Sequence, residues 1–263
     1  MIIVKIGGGS RINIAGIIED LAAIEEPYII VHGANALRDK LAQDLGQPKQ
    51  VLTSVKGYSS VYSDEKLLDV MMMAYAGLRN KRIVEQCQQH GINAVGLSGL
   101  DGKMIQGSRN QGIRVYQNKK LKIVRDFSGK PVAVNAALLR LLLDNGYVPV
   151  LTVPIIDEQN TAINTENDDV VRVLQQALAA ETVINLIEAP GFLADKDDPA
   201  SLIKAMGAAE LEAREQQVDG RMKRKMLAIR KLFEQGATKV IISDGRSEHP
   251  IRDALAAKGT LIQ

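Results

Sequence analysis

Apolar and polar positions alternate along this chain in short blocks whose period changes from one block to the next. The runs IIVKI (2–6) and YIIVH (28–32) are rich in β-branched residues, have the length of buried strands, and end in glycine-bearing turns. Between them, from about residue 12 to 23, apolar positions recur at helical spacing, so the chain opens as strand, helix, strand. The same pattern predicts helices over about 36–45 and 63–89, the second capped by Ser63, and then a strand over 93–97. A helix over 135–144 and a strand over 148–153 follow, with a second such pair at 168–178 and 182–186. The last elements are a helix over 220–235, a strand over 239–243 and a short helix after Pro250. Such alternation without a low-complexity linker predicts an α/β fold, a mainly parallel central sheet with helices on both faces in three layers. One segment departs from it. Residues 113–116 and 121–124 alternate apolar with basic side chains around 117–120, which predicts a β-hairpin standing off the core with one cationic, solvent-exposed face.

Composition narrows the class. With 263 residues, 46% of them hydrophobic, the chain can bury a sizeable core, which excludes intrinsic disorder. Trp is absent and aromatic residues make up 3%, so aliphatic side chains do the packing, as in helix-on-sheet folds. The one cysteine, Cys87, has no partner for an intramolecular disulfide, and no Cys/His cluster has metal-ligand spacing. A reducing compartment fits this. The opening apolar run is broken at Lys5, too early for a signal peptide, and nowhere do about 18 apolar residues run together, so a cytoplasmic protein without membrane association is expected. The formal charge of +2 conceals an imbalance, because residues 103–130 hold eight basic side chains against one acid, Asp126. Nucleic acid is a poor match for that segment, since its only aromatics are Tyr116 and Phe127, too few for a stacking platform.

Four motifs carry candidate chemistry. Lys5 closes the first strand and is followed by Gly7, Gly8 and Gly9, a turn that can present N–H groups to phosphate oxygens beside a lysine charge. It has neither the Walker A pattern nor the dinucleotide fingerprint, and on its own it equally describes a glycine turn beside a solvated lysine. His32-Gly33-Ala34-Asn35 is a second strand-to-helix turn, where free N–H groups suit an anion and His32 orients the turn. In a parallel sheet, ligands gather outside the carboxyl ends of the strands, where both turns fall. Asn164 and Asp168 are spaced to project together at a helix start, although capping alone also accounts for them. In GRMKRKM (220–226), Met222, Met226 and Ile229 form the apolar stripe while Arg221 and Lys225 share another face. Cations at a helix N-terminus oppose its dipole, which points to a bound anion or else to a solvated basic face.

Together these motifs resemble the amino acid kinase family in order and spacing over the whole chain, and particularly the acetylglutamate kinases. Within the family, GLSGLDGK (96–103), NGYVPVLTVP (145–154), AINT (162–165), GRMKRKM and DGR (244–246) look like the branch that phosphorylates 2-aminoadipate or glutamate held on a small amino-group carrier protein. The resemblance implies an ATP-dependent phosphotransferase using Mg²⁺ and acting on a carboxylate. Lys5 and Lys225 would stabilise the transferring phosphoryl group, with Asp168 holding both lysines. Gly7, Gly8, Gly9 and Arg221 would contact phosphates, and Gly33, Ala34, Asn35, Val61 and Asn164 would line the acyl-substrate side. Residues 1–155 would bind the acyl substrate and form a homodimer, and 156–263 would bind nucleotide. A carboxylate acceptor is ionised at neutral pH, its ordinary pKa being about 4.3, so no general base is required. The carrier would dock on the basic hairpin through Arg114, Lys119, Lys120, Lys122 and Arg125, where opposite charge raises the association rate.

Three positions differ from the family pattern. Ala34 replaces a glycine, and its Cβ is expected to crowd the phosphate path. Val61 stands where an arginine grips the substrate carboxylate, and Lys56 offers a point charge without the bidentate fork. Glu188 ends the nucleotide-side strand in place of a smaller residue. Two other functions are compatible with the sequence, an N-acetylglutamate kinase working on the free molecule and a catalytically weak regulatory protein that keeps the fold.

Overall fold

A computed structural model describes residues 1–263 except 56, 58, 118, 119, 196, 218, 219, 235 and 238, and the side chains of 117, 217 and 220–225 are also outside the described set. The strands are β1 (Ile2–Ile6), β2 (Tyr28–His32), β3 (Val51–Thr53), β4 (Ser59–Val61), β5 (Ala94–Gly99), β6 (Ile105–Arg109), β7 (Ile113–Gln117), β8 (Lys120–Val124), β9 (Gly129–Val134), β10 (Val148–Ile156), β11 (Ala162–Ile163), β12 (Thr182–Ile187), β13 (Ala205–Met206), β14 (Lys239–Asp244) and β15 (Thr260–Ile262). The helices are α1 (Ile14–Leu21), α2 (Asn35–Asp44), α3 (Glu65–Met71), α4 (Asn80–Gln89), α5 (Ala136–Asp144), α6 (Asn167–Leu178), α7 (Glu210–Gln217), α8 (Gly220–Glu234) and α9 (Pro250–Leu255).

One 11-stranded sheet runs β13-β15-β14-β12-β1-β2-β10-β6-β9, with β5 and β11 also paired to β10. The pairs joining β14, β12, β1, β2, β10 and β5 are all parallel, and β14–β15, β6–β9 and β10–β11 are antiparallel. β1 lies between β2 and β12, so the strand order reverses direction there, the place where open α/β sheets bind ligands. Alternation along β1 divides the core. Ile2, Val4 and Ile6 pack with α1, α4 and α9 on one face. Ile3 packs on the other, with Val170 and Leu174 of α6 and Met226 and Ile229 of α8. Those two clusters make the three layers.

The helix expected over 63–89 is capped by Asp64, whose carboxylate accepts the Leu67 N–H at 2.8 Å, rather than by Ser63. Between α3 and α4 it passes through a π-helical stretch, Met72–Arg79. The hairpin β7/β8 forms as predicted, but its register pairs Arg114 with Ile123 and Val115 with Lys122. Its cations are therefore divided between the two faces rather than gathered on one, since cross-strand partners share a face. One face also exposes Tyr116, Leu121 and Ile123. The amino and carboxyl ends of the fold are tied by Asp20 of α1, whose buried carboxylate accepts the N–H groups of Ile251 and Arg252 in α9 at 2.9 and 3.1 Å.

Candidate active site

Lys5 leaves the carboxyl end of β1 on the α6 side and forms an ion pair with Asp168, the second residue of α6. A carboxylate in a first helical turn is favoured by the helix dipole. Here it also reaches a lysine on the central strand, so the pair joins sheet and helix at the point where strand order reverses.

The two glycine turns meet beside this pair. The Gly8 carbonyl accepts the Ala36 N–H, the Gly33 N–H donates to the Ile6 carbonyl, and the Gly7 N–H donates to the Leu186 carbonyl, each at 2.9 Å. A Cβ on Gly8 would lie 2.6 Å from the Asn35 nitrogen and 2.8 Å from that of Ala34, and one on Gly33 would lie 2.9 Å from the Gly8 nitrogen. These backbones approach at a distance no side chain allows, which brings the N–H-bearing edges of one turn and one helix start together as an anion-binding concavity. Gly9 is set against Glu188, whose carboxylate accepts the Arg11 N–H at 2.7 Å. Beyond it, Arg246 grips Asp244 through two guanidinium nitrogens, each at 2.7 Å.

On the carboxyl-terminal side a narrow cleft is lined by Lys5, Asp168, Asn185 and otherwise by apolar groups, among them Phe192, Met226 and Ile229. Its polar end is the ion pair, and its walls are otherwise apolar. The glycine cradle and the ammonium together suit the phosphate oxygens of an anionic ligand. Among the described residues no group of three or more His, Cys, Asp or Glu could hold a metal ion.

The other side of β1 is bound into a polar network. His32 is fully buried, and burial, the largest influence, pushes its imidazole down to about 3, so the ring is neutral. The Asn80 amide donates to His32 Nε2 at 3.1 Å and to the Val150 carbonyl at 2.9 Å, which assigns the ring proton to Nδ1, facing the Gly33 carbonyl. His32 thus orients its turn, as expected from the sequence. Its own carbonyl accepts the Asn167 amide at 3.2 Å and the Thr152 hydroxyl at 3.0 Å.

Asn164 does not project with Asp168. It precedes α6, donates from its amide to the Ser63 hydroxyl at 3.0 Å, and accepts the Gly129 N–H on its carbonyl at 2.9 Å. Ser63 is buried and receives support from Asp126, whose carboxylate accepts the Ser63 N–H at 3.1 Å. Ala34 is 1% exposed and packs in the α6-side core. Its Cβ therefore fills core space. Val61 also packs against that core, with no cationic replacement on its own strand. Asn35 opens α2 and accepts on its carboxamide oxygen from the Tyr75 hydroxyl and, at 3.5 Å, from Arg38.

The side chains of Arg221 and Lys225 on α8, and Lys56 and Lys119 entirely, lie outside the described residues. Arg114, Lys120, Lys122 and Arg125 are solvent-exposed on or beside the hairpin. Sequence reasoning missed Ser63, Asp126 and Asn167 as members of the network, and it missed Asn185. The one available signal was Asn185 itself, an amide at an apolar position of a strand.

A lysine and a carboxylate at the sheet's switch point beside a double glycine cradle define a class of protein, a phosphotransferase that works by positioning and charge neutralisation. The model of the amino acid kinase family matches residues 1–244, and the chain belongs to that family. It is similar to the "[LysW]-aminoadipate kinase" of Thermus thermophilus, 40% identical with all of both chains covered. The protein of the same name from Deinococcus radiodurans is 39% identical, with 100% of this chain and 91% of the relative covered. An "Acetylglutamate kinase" of Methanopyrus kandleri is 30% identical, again with all of both chains covered. Among solved structures, the N-acetylglutamate synthase of Neisseria gonorrhoeae complexed with coenzyme A and N-acetyl-glutamate superposes with a TM-score of 0.78 at 18% identity. That superposition covers 99% of this chain and 58% of the synthase, and it shows the fold alone. The chain is an ATP-using kinase of amino-acid biosynthesis that transfers a phosphoryl group to a carboxyl group. Among the described residues no helix is long and apolar enough to cross a membrane.

Proposed function

We propose that this kinase phosphorylates the side-chain carboxylate of 2-aminoadipate, or of glutamate, attached to a small acidic amino-group carrier protein in the cytoplasm, giving an acyl phosphate for lysine or arginine biosynthesis. The observation that carries this reading is the Lys5–Asp168 pair beside the Gly8/Gly33 cradle, in a chain similar along its whole length to kinases named for carrier-linked aminoadipate. Lys5 and Lys225 neutralise charge on the transferring phosphoryl group. Asp168 holds the lysines apart from one another's repulsion. Gly7, Gly8, Gly9 and Arg221 receive the phosphates, and Gly33, Asn35 and Asn164 face the acyl substrate beside Ala34 and Val61. ATP supplies the γ-phosphoryl group, and Mg²⁺ arrives on its phosphate oxygens, the usual habit of that ion. The acyl-binding and dimer-forming lobe comprises residues 1–155, and the nucleotide lobe 156–263.

Carrier docking falls to the β7/β8 hairpin, where Arg114, Lys120, Lys122 and Arg125 are exposed and the segment 103–130 is strongly cationic. Attraction of this kind acts mainly on the association rate and weakens with salt. The test traps acyl phosphate with hydroxylamine and compares carrier-linked aminoadipate, carrier-linked glutamate and free N-acetylglutamate at two salt concentrations. Salt-sensitive hydroxamate from linked substrate alone supports the proposal. Hydroxamate from the free acid would favour the second reading, N-acetylglutamate kinase, which the Methanopyrus kandleri relative motivates.

A further inference from the structure

Lys5 on β1, Asn185 on β12 and Ile242 on β14 are register partners across three adjacent parallel strands, so their side chains stand in one row on the α6-side face. Along β12 that face carries Val183, Asn185 and Ile187. Strand alternation therefore calls for an aliphatic residue at 185, between Ile242 and the stem of Lys5. An amide stands there instead. Asn185 is 7% exposed, lines the cleft, and its buried carboxamide oxygen has no hydrogen-bond partner. Such an unmade bond is a net cost that an aliphatic side chain would avoid. Rules of this kind are broken mostly where function needs it.

Among the described side chains lining the cleft, Asp168 is acidic and Ile187, Phe192, Met226, Ile229 and Ile242 are apolar. Lys5 is the remaining one with hydrogens to give, and its ammonium has three, of which the Asp168 pair uses one.

Resting on the phosphotransferase reading, we propose that Asn185 is a positioning residue for Lys5: its carboxamide oxygen accepts from the Lys5 ammonium when nucleotide is bound, fixing the lysine between Asp168 and the transferring phosphoryl group. Asp168 holds the ammonium from the helix side and Asn185 from the sheet side, leaving the third N–H directed at phosphate. The interaction is one of placement and involves no proton transfer.

Two near-isosteric variants separate this role from a structural one. Asn185→Leu removes the acceptor and restores the aliphatic pattern, and Asn185→Asp keeps an acceptor oxygen in place. Expected for Leu is a melting temperature equal to or above wild type, kcat lowered about 10- to 100-fold for a misplaced catalytic group, and KM for ATP within about threefold. Expected for Asp is a lower melting temperature with kcat within about fivefold of wild type, since a buried carboxylate destabilises while still accepting from lysine. A residue that merely filled space would move stability and turnover in the same direction. A Leu variant with wild-type kcat overturns the proposal, as does an Asp variant as slow as Leu. The Lys5 ammonium signal in a ¹⁵N correlation spectrum of the ADP-bound protein provides a readout that needs no acceptor substrate. It should persist in wild type and Asp and exchange away in Leu, and equal persistence in all three overturns the contact. If wild type forms no hydroxamate from any carboxylate, the phosphotransfer reading fails while this spectrum still decides the role of Asn185.

Discussion

Replacing Gly8 by alanine tests whether the double glycine cradle sets the reaction geometry. The new Cβ would start 2.6 Å from the Asn35 nitrogen and 2.8 Å from the Ala34 nitrogen, and ordinary contact begins at 3.4 Å, so the turn and the start of α2 must separate by most of an ångström. Both obstacles are backbone atoms, one of them on a helix, and neither can rotate away as a side chain would. A shift of about 1 Å at a reacting centre costs about 10²-fold in rate, and overpacking typically costs about 1–3 kcal/mol of stability. Gly8→Ala should therefore lower kcat/KM in the hydroxamate assay by about two orders of magnitude and the melting temperature by several degrees. Gly207→Ala is the control, because nothing lies within 4 Å of the added carbon and its backbone does not require glycine. Turnover within threefold of wild type in Gly8→Ala, with the control unchanged, would refute the argument that this contact positions the phosphoryl group.

Lys5→Ala and Asp168→Asn should each reduce kcat about 10²- to 10³-fold, the usual loss when a preorganised charge is removed, and near-wild-type hydroxamate formation by either would take that residue out of the site. Glu188→Ala removes the acceptor of the Arg11 N–H, a bond of about 1 kcal/mol at its partly exposed position. It should raise KM for ATP about fivefold with kcat changed less, and an unchanged KM would show that Glu188 does not brace the glycine turn. His32 is held near 3 in the fold against 6.5 when unfolded, so the unfolded chain binds one more proton between those values. The stability it allows is complete above pH 6.5 and falls by about 1.4 kcal/mol per unit as pH drops towards 3. Melting temperature should decline less steeply from pH 6.5 to 4.5 in His32→Gln than in wild type, and parallel slopes would contradict a neutral buried imidazole.

The parallel sheet and its helices were legible because burial on both faces writes near-continuous aliphatic strands, IIVKI and YIIVH among them, with helical spacing between. Lys5, the glycine turns and Asp168 were legible as separate motifs, and the sheet topology brought Lys5 beside a residue 163 positions away. The two-residue strands β11 and β13 and helix α7 were not foreseen, being too short or too polar to declare a period. The π-helical stretch was hidden because one extra residue per turn barely changes the order of apolar positions. Asn164 could be named but not placed, since its spacing to Asp168 assumed a helix that begins only at Asn167. The faces of the hairpin depended on a register that its turn, rather than its composition, decides.

The position of β1 also has a consequence during synthesis. The strand needs a neighbour on both edges, and while β2 follows it within 30 residues, β12 begins only at Thr182. At ordinary elongation rates the second edge stays open for on the order of ten to thirty seconds. An aliphatic strand with unpaired backbone groups is then available to other nascent chains, a setting that favours misassociation. Slowed translation before residue 182 should lower soluble yield more than the same delay placed after residue 187, when the edge has closed.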